Sequence, residues 1–134
     1  MATVLIDGQT LTIESAYSVS IGQSKLVLCD QAIDRMSQSR QVVEEIVNSN
    51  QVVYGINTGF GAMSSVKIDE TELAKLQTNL VRSHACGVGE LMDPEHVLLM
   101  MVYRANSLAK GVSGIRPEVV KLLIDMINLG IAPI

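Results

Sequence analysis

Residues 52–61 read Val-Val-Tyr-Gly-Ile-Asn-Thr-Gly-Phe-Gly, with three glycines in the last seven positions. Glycines at this density interrupt any helix or strand, and the side chains of Asn57 and Thr58 are of the type that hydrogen-bond the backbone of turns. The stretch therefore predicts a loop that Asn57 and Thr58 brace in one shape. A phenol on such a loop is able to transfer a proton, which makes Tyr54 a candidate catalytic residue. The alternative is a tyrosine that packs.

Helical patterns lie on both sides of this loop. Asp30 is a helix cap, and its helix is predicted to run to about Asn48. Asp69 is expected to cap a second helix, Asp93-Pro94 opens a third, and Pro117 starts the last one. The sequence therefore predicts a mainly α fold.

Two of these helices carry distinctive faces. In the second helix Leu73, Leu76, Leu80 and His84 recur at helical spacing, so that a histidine continues a leucine stripe. In the third helix residues 97–103 are all apolar, which predicts that it is enclosed on all sides.

The N-terminal residues favour β structure. Asp7-Gly8-Gln9-Thr10 lies between two short β-prone runs, Thr3–Ile6 and Leu11–Ile13. Asp-Gly between such runs predicts a short β-hairpin near the N-terminus. Residues 14–28 are ambiguous.

Composition and charge exclude several classes of partner. The 134 residues suffice for one domain, and a hydrophobic content of 48% suits a segment that is buried in something larger or that oligomerises. A net charge of −4 without a basic cluster disfavours nucleic acid and anionic membranes. No apolar run is long enough to span a bilayer, and the N-terminus lacks a secretory signal, so we expect a cytoplasmic protein. His84 and His96 without a cluster of carboxylates predict no metal site.

Three blocks of the sequence resemble the aromatic amino acid ammonia-lyases and aminomutases, whose methylidene-imidazolone electrophile forms from their own Ala-Ser-Gly. The blocks are residues 54–61, 76–89 and 106–116, in the family's order and spacing. The likeness covers most of the chain from about residue 30 onward. Within the family, Ser-His-Ala-Cys-Gly at 83–87 is most similar to bacterial histidine ammonia-lyases. The resemblance implies the helical ammonia-lyase fold and the elimination of ammonia from L-histidine to give urocanate.

The resemblance also implies roles for individual residues. Tyr54 corresponds to the base that takes the β-proton, and as a phenolate near neutral pH it would need positive charge or helix N-termini nearby. Gly61 corresponds to a glycine close to the substrate, although a plain turn glycine remains the alternative. His84 corresponds to a histidine in the pocket for the substrate side chain rather than a satisfied core histidine. Leu80, Ser83 and Asn79 are expected to pack or to support that pocket.

The imidazole of His84 is able to hydrogen-bond either another imidazole or a phenol, so it leaves histidine and tyrosine open as substrates. In the family, members that accept histidine or tyrosine both carry this histidine and phenylalanine-specific members tend to have an apolar residue, so the resemblance argues against phenylalanine. A tyrosine ammonia-lyase or aminomutase is therefore an alternative.

No Ala-Ser-Gly occurs in the sequence, and its last residues, Ile131-Ala132-Pro133-Ile134, are apolar. We therefore expect residues 1–134 to be a single N-terminal segment of a larger lyase, inactive alone. The resemblance implies a homotetramer that acts on a small amino acid. The alternative from another class is a complete, non-catalytic helical interaction module.

Overall fold

The computed structural model describes residues 1–49, 51–59, 66 and 68–133. Within these ranges the fold is mainly α, as predicted, with five helices and a sheet of two strands. In chain order the elements are β1 (Ala2–Ile6), α1 (Ile13–Ser20), β2 (Ser24–Leu28), α2 (Asp30–Val47), α3 (Glu70–His84), α4 (Pro94–Leu108) and α5 (Pro117–Asn128).

The chain divides into two compact units. The first unit comprises Met1–Gln41 and Leu91–Ile134, and the second comprises Val42–Glu90. In the first unit α4 packs against α1 and α5, and α5 also packs against β2. Its core contains the fully buried side chains of Ile6, Leu26, Met36, Val102 and Val120.

The helix starts follow the sequence signals. α2 begins at Asp30, α3 directly follows Asp69, and α5 begins at Pro117. At the start of α4, Asp93 Oδ1 accepts a hydrogen bond from Glu95 N at 3.0 Å, and Pro94 occupies the first helical position. Asp93 and the two prolines therefore marked helix starts as predicted, but Asp30 is the first residue of α2 rather than its cap, and the side chain of Asp69 makes no capping hydrogen bond.

The predicted hairpin is wrong, although the structure does have a short sheet at the N-terminus. β1 and β2 pair in parallel, from Ala2 with Ser24 to Ile6 with Leu28. The predicted second strand instead leads into α1, where Thr12 and Ser15 form a capping box. Parallel strands need a crossover connection, which α1 provides within the stretch that the sequence left ambiguous.

The Asp7-Gly8-Gln9-Thr10 turn exists, but it connects β1 to α1. Asp7 Oδ1 accepts hydrogen bonds from Gln9 N and Thr10 N at 2.8 Å each. These bonds, led by the one from Thr10 N, hold the pKa of the Asp7 carboxyl below its ordinary value. The turn chemistry of Asp-Gly was therefore predicted correctly, and only the element that follows it was not.

The expectation that the apolar run of α4 is enclosed on all sides is also wrong in the described chain. Leu98, Met101 and Val102 are buried, but Met100 is 59% exposed and Tyr103 is 41% exposed. Helices α1 and α5 cover only part of the circumference of α4. The uncovered part forms one wall of an apolar cleft of about 580 Å³, whose lining residues are Val97, Met100, Met101, Tyr103, Arg104, Ser107, Leu123 and Pro133.

Asn128, the last residue of α5, binds the backbone of β2. Its Oδ1 accepts from Leu26 N and its Nδ2 donates to Leu26 O, both at 2.8 Å. The carbonyl oxygen of Asn128 also accepts a hydrogen bond from Lys25 Nζ. The backbone N–H and C=O of Leu26, which face away from β1, are thereby both hydrogen-bonded to a single amide side chain.

The turn after β1 lies directly against the end of α4. Gly8 has a φ of +82°, and a Cβ atom there would be 2.7 Å from Lys110 N and 2.9 Å from Lys110 Cα. Gly8 N donates to Asn106 Oδ1 at 3.1 Å. Only a glycine permits both this backbone conformation and this distance.

We expect Gly8→Ala to lower the free energy of unfolding by about 2–4 kcal/mol, because the added Cβ meets backbone atoms in a left-handed conformation. The control is Gly22→Ala, where φ is +73° but nothing lies within 4 Å of the added Cβ. That variant should lose only the conformational part, about 1–2 kcal/mol. Equal losses in chemical denaturation of the two variants would contradict the close approach at Gly8.

Candidate active site

The loop that carries Tyr54 is held by the side chain of Asn57. Asn57 Oδ1 accepts from Val53 N at 2.9 Å, and its Nδ2 donates to Gln51 O at 2.7 Å. Only 2% of Asn57 is exposed. One buried amide therefore fixes the chain on the N-terminal side of Tyr54, as the sequence predicted for a bracing residue.

Thr58 braces the other side of the turn. Its Oγ1 accepts from Gly55 N at 3.3 Å and donates to Gly59 O at 2.9 Å, and the residue is 1% exposed. Gly55 has a φ of +79°, a conformation that favours glycine. Tyr54 is thus followed by a glycine in the left-handed conformation. Asn57 braces the chain before Tyr54, and Thr58 braces the chain after it.

The loop also pairs with the chain that approaches α3. Ile68 N donates to Asn57 O at 3.0 Å, and Gly59 N donates to Val66 O at 3.2 Å. These bonds join Asn57 and Gly59 to Val66 and Ile68. Gly61 lies outside the described residues, so its predicted closeness to the substrate stays a prediction.

The structure places the Tyr54 side chain at the surface. Tyr54 is 63% exposed, whereas Asn57 and Thr58, three and four residues later, are buried. A tyrosine whose role is to fill a core would be enclosed. The arrangement therefore presents the phenol outward from a braced turn, and the catalytic role of Tyr54 stays a prediction.

His84 is the last residue of α3, and its side chain is exposed. Its Nδ1 lies 2.9 Å from Leu80 O and 3.0 Å from Ser83 Oγ. Leu76 and Leu80 are half-buried members of the predicted stripe, while His84 reaches beyond it. The alternative of a satisfied core histidine does not describe this position.

Tyr54 and His84 both belong to the second unit and both lie at its surface. A cavity of about 340 Å³ in the same unit is formed where α2 ends and the loop starts, and its lining residues are Val42, Glu45, Ile46, Ser49 and Gln51. Tyr54 and His84 are not among these residues. Tyr54 and His84 are thus two exposed side chains on separate elements of the described chain, and neither lines this cavity.

The contact between Ser83 and His84 was not identified in the sequence. Ser83 was expected only to pack or to support the pocket, but its hydroxyl lies against the ring of His84. The signal for it was a serine directly before a histidine in the last turn of a predicted helix.

Within the described ranges, no group of His, Cys, Asp or Glu is arranged to hold a metal ion, and no helix is long and apolar enough to cross a membrane.

The sequence and the fold together define the class of protein. The family model for aromatic amino acid lyases matches residues 11–134. The chain belongs to the aromatic amino acid lyase family.

Relatives of this chain include histidine ammonia-lyases and a tyrosine aminomutase. The chain is 49% identical over 132 residues to a histidine ammonia-lyase of Staphylococcus aureus, and the match covers 98% of this chain and 26% of the relative. It is 39% identical to a histidine ammonia-lyase structure from Trypanosoma cruzi, with a TM-score of 0.85 over 94% of this chain and 24% of that one. A tyrosine aminomutase from Streptomyces globisporus gives 36% identity and a TM-score of 0.89 over 96% of this chain and 24% of the other. The chain spans about a quarter of the length of the curated relatives it matches.

We expect Asn57→Ala to release the turn that carries Tyr54. The change leaves Val53 N and Gln51 O without their partner, which costs about 1–3 kcal/mol when the groups are buried. Hydrogen exchange should show the Val53 amide losing protection. The control, Asn79→Ala, removes an exposed amide from α3 in the same unit and should leave that protection unchanged. Unaltered exchange of Val53 in Asn57→Ala would contradict the bracing role.

Proposed function

We propose that this chain is the N-terminal segment of a histidine ammonia-lyase, which eliminates ammonia from L-histidine to give urocanate. The observation that carries the proposal is the 49% identity to the Staphylococcus aureus histidine ammonia-lyase across 98% of the chain. The exposure of Tyr54 on a braced turn, and of His84 at a helix end, supports it.

In the proposed reaction Tyr54 is the base. Its phenolate oxygen takes a proton from Cβ of the substrate, the Cα–Cβ double bond forms from that electron pair, and the amino group leaves with the electrons of the Cα–N bond. The turn fixed by Asn57 and Thr58 holds the backbone from which the phenol projects. The proposal thus assigns removal of the β-proton to a residue whose side chain is exposed.

The leaving amine needs an electrophile that this chain does not contain. In this family a methylidene-imidazolone group, formed from Ala-Ser-Gly, makes the amino group a better leaving group. That tripeptide is absent from the 134 residues, so no residue here fits the role. The chain contributes the proposed base and the proposed contact to the substrate side chain, and we expect it to be inactive alone.

The proposal includes a homotetramer in the cytoplasm that acts on a small amino acid and binds neither nucleic acid nor a membrane. Exposed apolar residues of the first unit support burial in a larger assembly. Met100, which lines the apolar cleft beside α4, is 59% exposed, and Leu122 of α5 is 61% exposed. Apolar surface of this kind is typical of a contact face.

A tyrosine-specific lyase or aminomutase is the second candidate. The observation that favours it is the likeness to the Streptomyces globisporus tyrosine aminomutase, at a TM-score of 0.89. The two candidates are distinguished with the longer polypeptide, that is, the whole lyase of which this chain is the proposed N-terminal segment. L-histidine and L-tyrosine are offered to it separately. Urocanate formation supports the first proposal, and coumarate or β-tyrosine as the main product would replace it with the second. Lack of turnover of either amino acid would favour a non-catalytic module.

In the longer polypeptide, Tyr54→Phe should reduce kcat for urocanate formation by about 10²–10⁴-fold, the usual contribution of a general base. The variant removes one oxygen from an exposed side chain, so the fold should be unaffected. Tyr17→Phe is the matched control, since Tyr17 is 52% exposed in α1, and it should retain full activity. Turnover that survives in Tyr54→Phe would show that the base is another group.

Replacing His84 by leucine should raise KM for L-histidine by about 5- to 100-fold, because the contact with the substrate ring loses a hydrogen bond. His96→Leu, in the first turn of α4, is the control and should behave like the unchanged enzyme. We expect His84→Leu to accept L-phenylalanine better than the unchanged enzyme does. Identical kinetics in His84→Leu and His96→Leu would remove His84 from the site.

A further inference from the structure

Two groups of its own helix hold the imidazole of His84. Its Nδ1 lies 2.9 Å from the carbonyl oxygen of Leu80 and 3.0 Å from the hydroxyl oxygen of Ser83. The Ser83 hydroxyl in turn donates to the Leu80 carbonyl oxygen at 2.8 Å. The three atoms form a closed triangle in the last turn of α3.

This triangle favours one position for the proton of the neutral ring. A carbonyl oxygen only accepts hydrogen bonds, so an unprotonated Nδ1 next to Leu80 O would set lone pair against lone pair. The Ser83 hydroxyl oxygen lies 2.8 Å from the same carbonyl oxygen. Because that carbonyl only accepts, the contact needs the hydroxyl proton, and the hydroxyl lone pairs are then free to face Nδ1. A proton on Nδ1 satisfies both contacts, and Nε2 of the neutral ring is then an acceptor.

We propose that Ser83 is a positioning residue that keeps neutral His84 in its Nδ1–H form, so that Nε2 accepts a hydrogen bond from the substrate side chain. The ligand class that fits is an amino acid whose side chain offers an N–H or O–H donor. An imidazole and a phenol both meet this requirement, and a phenyl ring does not. The part that concerns the substrate rests on the proposed function, whereas the tautomer rests on the geometry of α3 alone.

The other histidine of the chain provides an internal reference. His96 is exposed in the first turn of α4, and within the part of the chain that the structure describes its ring makes no hydrogen bond. A neutral imidazole without a fixed partner exchanges between both tautomers. The two rings should therefore differ in their nitrogen resonances.

The substrate side of the proposal is tested by kinetics of the longer polypeptide. Ser83→Ala should raise KM for L-histidine by about 2- to 10-fold, the equivalent of one weakened hydrogen bond, with a smaller change in kcat. Ser83→Thr retains the hydroxyl and should restore the original KM. An unchanged KM in Ser83→Ala would overturn the role of Ser83 in substrate recognition.

The tautomer is tested on the 134-residue chain itself, labelled with ¹⁵N-histidine. Long-range ¹H–¹⁵N correlation at about pH 8.5, where imidazoles are neutral, should show a protonated Nδ1 and a bare Nε2 for His84 and averaged values for His96. His96→Gln assigns the two sets of signals. Ser83→Ala should move the His84 shifts toward those of His96, and Ser83→Thr should leave them in place. Because alanine favours a helix more than serine and threonine favours it less, helix propensity does not explain that pattern.

Two results would overturn the inference: a proton on Nε2 of His84, or His84 shifts that stay unchanged in Ser83→Ala. Both are independent of catalysis. If the longer polypeptide forms no urocanate, the proposed function fails while the tautomer measurement stands. If the tautomer is reversed, the inference fails whatever the turnover.

Discussion

The first unit depends on a close approach of backbone to backbone at Gly8 and Lys110. A two-stranded parallel sheet has no hairpin to hold its ends together, so the segment between its strands must be fixed by something else. The turn after β1 is fixed against the end of α4, where Asn106 bonds Gly8 N. Gly111 makes a second such approach, since a Cβ atom there would be 2.6 Å from Arg35 Cβ. Arg35 Nη2 also donates to Asp7 O at 2.6 Å, so α2 joins the same junction.

Signals that act over a few residues allowed most of the fold to be predicted from the sequence. Asp93 and Pro117 marked helix starts, because the Asp93 carboxylate accepts from a free N–H of the first turn and a proline has no N–H to leave unpaired there. The hairpin predicted at Asp7-Gly8 was wrong because the same kind of turn also leads into a helix. The strand that pairs with β1 is β2, which follows only after helix α1. An apolar run such as that of α4 shows that burial is favoured, but not how many neighbours supply it.

In the candidate site, too, the sequence predicted the contacts that residue types reveal and missed the others. Asn57 and Thr58 were predicted to brace the loop because their side chains bond residues within six positions. Periodicity alone suggested that His84 continues a buried stripe, but the helix ends at this residue and the ring is exposed. The bond from His84 to Leu80 O involves a backbone carbonyl, which no residue type reveals. The roles of Tyr54, His84 and Gly61 in catalysis remain predictions.

Asn128 has a consequence for how the sheet meets other chains. The outer edge of a strand carries unpaired N–H and C=O groups, and such an edge is a template for the strand of another molecule. At Leu26 in the middle of β2, the Asn128 amide occupies both groups, as a residue of a third strand would. The helix that carries this amide also packs against the strand. One side chain thus ends the sheet at β2 and protects a short, apolar strand from aggregation through its edge.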